Sequence, residues 1–138
     1  MSSDHHHALR LARTIQRAAS LGTLDHILVG AVQDSYHRDL VPHFQIEEQV
    51  LLPTLTAVGA TELANRTRAE HRELHRLLDA AAIDDFDSLT SFATLLEAHV
   101  RFEERELFPT CEARLPSWVL DDVSRRTHNL GEVAHANV

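Results

Sequence analysis

Residues 43–53 read His-Phe-Gln-Ile-Glu-Glu-Gln-Val-Leu-Leu-Pro, and residues 99–109 read His-Val-Arg-Phe-Glu-Glu-Arg-Glu-Leu-Phe-Pro. Both are H-x-x-x-E-E followed by an apolar pair and a proline. A spacing of four stacks His43 over Glu47, and His99 over Glu103, on one face of a helix. The apolar residues around them recur at helical spacing: Leu28, Ala31, Val32, Tyr36, Leu40, Val50 and Leu51 in one run, and Leu89, Phe92, Leu95, Leu96, Phe102 and Leu107 in the other. Placed at about 100° per residue, Glu47 and Glu103 point close to the middle of their apolar stripes and His43 and His99 lie within roughly 40° of it. Glu48 and Glu104 fall about 100° or more away, toward solvent. A carboxylate aimed at a core is costly unless it is paired or bound to a metal.

The rest of the chain repeats the helical period. A first run carries Ala8, Leu11, Ala12, Ile15, Ala18 and Ala19, with Ser3 or Asp4 as its N-cap and Gly22 closing it. In the second run Pro42 predicts a kink near residues 39–42, and Pro53 with Gly59 brings the run to an end. A third run uses Leu63, Thr67, Leu74, Leu77, Leu78 and Ala81. It stops at Asp84, Asp85 and Asp87, one of which caps the fourth run, and Pro109 marks where that run weakens. The tail holds Trp118, Val119 and Val123, enough for a small fifth helix. No period-2 alternation and no hairpin signal appears. The expectation is an all-α, up-down-up-down four-helix bundle with a short C-terminal helix. It is read as a single domain over 1–138, with the bundle at about 4–113 and an extension at 114–138.

At 138 residues the chain is large enough to bury a core. Its formal charge of -8 argues against a nucleic-acid or anionic-membrane partner, and all thirteen basic residues are Arg. One cysteine, Cys111, excludes an internal disulfide. It stands too isolated on its helix to count as a ligand. No signal peptide and no apolar run of membrane length is visible. The expected setting is cytoplasmic, as a monomer or weak homo-oligomer. Eleven histidines in 138 residues are far too many for a bland domain.

Those histidines sort by direction. The third run contains Glu70-His71-Arg72-Glu73-Leu74-His75, with His71 on the apolar stripe and His75 nearer its edge. In the first run His5 continues Ala8, Ala12 and Ile15 backwards by one turn, while His6 points away and His7 is marginal. Every run therefore delivers at least one inward His, and two runs add an inward Glu. Two buried ion pairs without a metal would stabilise little. Imidazoles and carboxylates projecting into a bundle core are how such bundles hold a pair of iron or manganese ions. His26, His37, His128 and His135 fall off the stripes or in loop and tail. Tyr36 reads as core, and Leu51, Phe92 and Phe102 read as a dry wall. The Arg–Glu alternation around 66–76 and 101–106 reads as a solvated face.

On these residues the chain resembles the hemerythrin-like, or HHE cation-binding, family of bacterial type. The resemblance covers roughly residues 4–113 and rests on the two H-x-x-x-E-E stretches, with Asp4-His5-His6, Pro42-His43-Phe44 and Glu70-His71 in support. It implies two iron ions, with manganese or zinc as alternatives, bridged by two carboxylates and an oxo or hydroxo group. The implied ligands are His5, His43, His71, His75 and His99, with Glu47 and Glu103 as bridges. Oxygen-carrying members have an Asp five residues after the fourth-helix His, whereas this chain has Glu103 at four and Glu104 at five. The longer Glu suits the shorter spacing. The implied partner is a small ligand: O2, NO or peroxide. Five His, two bridging carboxylates and a bridging oxygen fill about eleven of some twelve octahedral positions, leaving one open. Without His75 two are open, which shifts the expectation from reversible oxygen binding toward redox chemistry or sensing. The function classes that follow are a small-ligand binding protein, an enzyme turning over peroxide or NO, and a metal-handling protein.

Overall fold

Helical periodicity becomes helix almost everywhere. The structure, a computed structural model, describes residues 2–83 and 85–136; the side chains of residues 2–4 and 131–136 lie outside that description. The described residues form five helices and no strand: α1 Ser2–Leu21, α2 over 26–57, α3 Thr61–Ala82, α4 over 86–114 and α5 Ser117–Ala136.

Local chemistry sets the ends. At α1 the backbone turns left-handed at Gly22 (φ 68°), which lets the Thr23 amide donate to the Ala18 carbonyl at 2.9 Å. The Asp25 carboxylate accepts the Leu28 amide at 2.8 Å and starts α2. At the other end of α2, Gly59 takes φ 90°. Asp85 holds the N-cap position of α4, where its carboxylate accepts the Ser88 hydroxyl rather than a backbone amide. Asp84 lies outside the described residues, and Asp87 stands within the first turn. The first helix begins at Ser2, so Ser3 and Asp4 stand inside its first turn instead of capping it.

The prolines neither end nor simply kink their helices. In α2 and α4 three π-helical turns, Tyr36–Leu40, Glu47–Leu51 and Glu103–Leu107, are each followed two residues later by a proline: Pro42, Pro53 and Pro109. The i→i+5 bonds are explicit: the Val41, Leu52 and Phe108 amides donate to the carbonyls of Tyr36, Glu47 and Glu103. A proline ring crowds the carbonyl four residues back and offers no N–H, and a widened turn just before it relieves both problems. Of the two residues expected to end the second run, Pro53 is passed and the helix stops at Ala57, just before Gly59. At Pro109 the run is disturbed by the π turn ahead of it and continues to Arg114. The disturbance ahead of Pro42 takes the form of a π turn.

The fifth helix also differs from expectation. It spans 20 residues instead of a short segment, because Val119, Val123 and Thr127 continue one buried stripe. Trp118 is not on that stripe and is 67% exposed. α1 packs on α4 and on the Tyr36–Leu40 turn of α2, and α3 packs on α2 and α4. α5 lies along the 36–51 stretch of α2 and the end of α4. Two apolar clusters result. One joins Ala12 and Ile15, Val32 and Tyr36, Leu74 and Leu78, and Phe92 and Leu96. The other joins Leu51, Leu55, Ala64, Leu107, Cys111 and Val123. On α2, α3 and α4 the histidines and glutamates singled out above fall in the gap between these clusters, at 43–47, 71 and 99–103. No helix of the described residues is long and apolar enough to cross a membrane.

Candidate metal centre

Between the two apolar clusters lie six buried side chains from four helices: His5 on α1, His43 and Glu47 on α2, His71 on α3, and His99 and Glu103 on α4. Glu47 is fully buried and Glu103 is 2% exposed. Every one of the four histidines turns Nε2 inward onto one of these two carboxylates. His5 Nε2 lies 2.9 Å and His99 Nε2 2.8 Å from Glu103, while His71 Nε2 lies 3.5 Å and His43 Nε2 3.6 Å from Glu47. Ligand atoms of Glu47, His71, His99 and Glu103 all fall within 4.8 Å of one another.

The outward nitrogens are held too. Glu48 accepts from His71 Nδ1 at 3.2 Å, Glu70 from His99 Nδ1 at 2.7 Å, and Glu104 from His5 Nδ1 at 3.1 Å. Each bond crosses between helices, α2 to α3, α3 to α4, and α4 to α1, so three of the four rings are oriented by a neighbour. An Nδ1–H given to a carboxylate leaves Nε2 as the atom that faces the centre. Arg66 braces this shell. It donates to Glu70 and Glu106 at 3.1 Å each and lays its guanidinium 3.9 Å from the Phe102 ring centre. His71 stacks on Phe44, with ring centres 3.9 Å apart, and His5 stacks on Phe108 at 5.3 Å.

Charge is unevenly shared. Burial raises the Glu103 carboxyl, but the close imidazoles of His5 and His99 outweigh it and hold the group well below its usual range. Burial, the Glu103 charge and contact with Glu103 push Glu47 well above that range, so Glu47 keeps its proton. Burial lowers His99, yet Glu103 and Glu70 together lift it to about 9. His5 rises as well, with Glu103 and Glu104 outweighing its burial. His71 goes the other way: burial, then the charges of His99 and His43, bring it down to about 3 and leave the ring neutral. Glu70 is lowered, because His99 and Arg66 overcome its burial.

Several inner atoms have no hydrogen-bond partner among the described residues: both oxygens of Glu47, Glu103 Oε1, His71 Nε2 and His99 Nε2. Each such buried group costs about 1–3 kcal/mol if left unsatisfied. His99 Nε2 and Glu103 Oε1 sit 2.8 Å apart but are not aligned for a hydrogen bond. Two adjacent ligands on an octahedral ion with bonds of about 2.1 Å lie roughly 3 Å apart and aim at the ion instead of each other. Imidazoles and carboxylates in this arrangement suit a transition-metal cation, which would satisfy the orphaned atoms together.

Of the residues named from sequence, the structure brings together His5, His43, Glu47, His71, His99 and Glu103. It does not bring His75 to them. The His75 side chain is 54% exposed, with Nε2 3.3 Å from Asp79. His6 and His7 are exposed, and His135 lies outside the described side chains. Tyr36, Leu51, Phe92 and Phe102 are buried, as read. Sequence reasoning missed Glu48, Glu70 and Glu104. The signal was there in the second Glu of each repeat and in the Glu directly before His71. The Arg–Glu alternation is therefore only partly a solvated face.

Residues 1–111 match the family model of the hemerythrin HHE cation binding domain. No curated protein and no solved structure matches the chain. The match spans α1 to α4 up to Cys111, including all six buried residues of the centre. This chain belongs to the hemerythrin HHE cation-binding domain family, and its buried His/Glu group is able to hold metal.

Proposed function

We propose that the protein is a non-haem di-iron protein that binds O2 or a related small ligand, NO or peroxide, at a carboxylate-bridged dinuclear site. His5, His43, His71 and His99 would hold the ions, with Glu47 and Glu103 between them. A pair of irons so held supplies reversible small-ligand binding and electron exchange. The observation that carries the reading is the convergence of four Nε2 atoms from four helices on two buried carboxylates. The connections at 22–25, 58–60 and 83–85 are short, which supports an up-down-up-down arrangement of α1 to α4. The test is metal analysis with an optical spectrum of the same sample. The expected result is two irons per chain with oxo-bridged ferric bands, and oxygen uptake that reverses on degassing. Much less than two metals per chain would sink the dinuclear site.

One observation favours a second reading. With His75 at the surface, four imidazoles, two bridging carboxylates and a bridging oxygen fill about ten of roughly twelve positions, leaving two. A more open centre suits turnover of peroxide or NO. Steady consumption of either by purified protein, abolished in Glu47→Ala, would select the enzyme; its absence would leave ligand binding.

A further inference from the structure

Two histidines with no place in the centre stand beside each other at the mouth of a cavity. His37 and His75 are both exposed, and their ring centres are 6.3 Å apart. The cavity, about 330 Å³, is lined by these two and by Tyr36, Glu48, His71 and Arg72 among others. Its inner wall is thus the outer edge of the centre: Glu48 is 39% exposed and bonds His71 Nδ1, and the other nitrogen of His71 lies 3.5 Å from Glu47. From cavity to buried carboxylate the path is Glu48, His71, Glu47.

The chemistry of the mouth suits a cation. With metal–nitrogen bonds of about 2.1 Å, two imidazoles on one ion have ring centres at most roughly 6.5 Å apart. The observed separation lies inside that limit, and both side chains are exposed to solvent. Asp79 adds a carboxylate 3.3 Å from His75 Nε2. Burial, with Asp79 and Glu48 adding to it, pushes the Tyr36 hydroxyl up to about 12. Among the lining residues Glu48 is the carboxylate and Arg72 the guanidinium, with Asp79 adding a second carboxylate beside His75 just outside the lining. A second cavity, over α1, is lined by Arg10, Arg13 and Arg17 and would repel a cation. The molecule also marks the first cavity in its backbone. Of the three π turns, two carry Glu47 and Glu103 and the third carries Tyr36 and His37.

We propose that this cavity is the port by which a divalent cation reaches the buried centre, with His37 and His75 as its collecting pair and Glu48 as the relay to His71. The proposal rests on the metal-binding reading and gives the surface position of His75 a role. The test is stopped-flow uptake of Co2+ by the full-length metal-free protein, followed by visible absorption, with bound metal measured at the end point. The His37→Ala/His75→Ala double variant alters exposed side chains outside the centre. It is expected to take up Co2+ about 10-fold more slowly and to reach the same final stoichiometry. Equal rates in wild type and variant would overturn the port while leaving the metal centre intact. A lowered final stoichiometry would also overturn it, because one of the pair would then be a permanent ligand. Wild-type protein that takes up no cation would overturn the metal reading and the port together.

Discussion

The two H-x-x-x-E-E stretches share their local build and differ in what faces them. In each, an α-helix passes into a π turn at the first Glu, and a proline follows two residues after the turn. Yet Glu103 meets two imidazoles at 2.8–2.9 Å and is ionised, whereas Glu47 meets two at 3.5–3.6 Å and keeps its proton. His71, on the Glu47 side, is neutral, while on the Glu103 side His99 is lifted to about 9 and His5 is raised as well. Local sequence places a carboxylate; how closely its two histidines approach, one on its own helix and one on a neighbour, sets its charge. Without metal the centre therefore has an ionised carboxylate on one side and a protonated carboxyl beside a neutral His71 on the other.

The largest expected effect breaks that asymmetry directly. In metal-free protein, Glu103→Ala removes the carboxylate that His5 and His99 share, and the loss of one partner of such a buried pair costs about 3–5 kcal/mol. Glu47→Leu at the equivalent position removes a neutral carboxyl with no hydrogen bond. Metal-free stability should then change by less than about 1 kcal/mol, or rise. Urea unfolding of both variants decides it: equal losses would mean that the two repeats are not different. Both variants should lose dinuclear metal binding alike.

A smaller effect follows from protons. His99 has its ordinary value of 6.5 in the unfolded chain and about 9 in the fold, so the fold binds more protons between those limits. Its stabilisation is complete below pH 6.5 and is lost as pH rises through 9; His5 shifts in the same direction. Metal-free protein should lose about 3 kcal/mol between pH 6.5 and 9.5. Metal-loaded protein should not, since an imidazole bound through Nε2 carries no proton there. Unfolding curves at pH 6.5, 8 and 9.5, with and without metal, separate the two. A metal-free protein flat in pH would contradict the charged side of the centre.

Much of this was legible in the sequence, and the misses have physical causes. The inward set His43, Glu47, His71, His99 and Glu103 follows from one angular rule because the centre occupies a single layer across the bundle. His75, nearer the edge of its stripe, is carried with them and falls outside. Four residues carry it about 6 Å along the α3 axis, past that layer to where Tyr36 and Phe92 fill the interior. Its ring then meets the Tyr36 ring from the outside, with centres 6.1 Å apart. The wheel sent Glu48 and Glu104 toward solvent, and they are 39% and 54% exposed, but a Glu is long enough to reach back to a histidine on the next helix. The π turns were hidden because proline reads locally as a stop.

The outer carboxylates give the finest comparison. Replacing a carboxylate that orients a ligand histidine typically lowers metal affinity 10–100-fold. Glu70 makes the shortest of the three bonds, 2.7 Å, is 16% exposed and is itself fixed by Arg66, so Glu70→Gln should sit at the upper end. Glu48, at 3.2 Å and 39% exposed, should fall in the middle, and Glu104, at 3.1 Å but 54% exposed, should be smallest because water can replace it. Affinities from chelator competition on the three Gln variants test the order. If Glu104→Gln matched Glu70→Gln, the exposed and the braced carboxylate would be doing equal work, and burial would not be what makes a histidine's outer bond matter here.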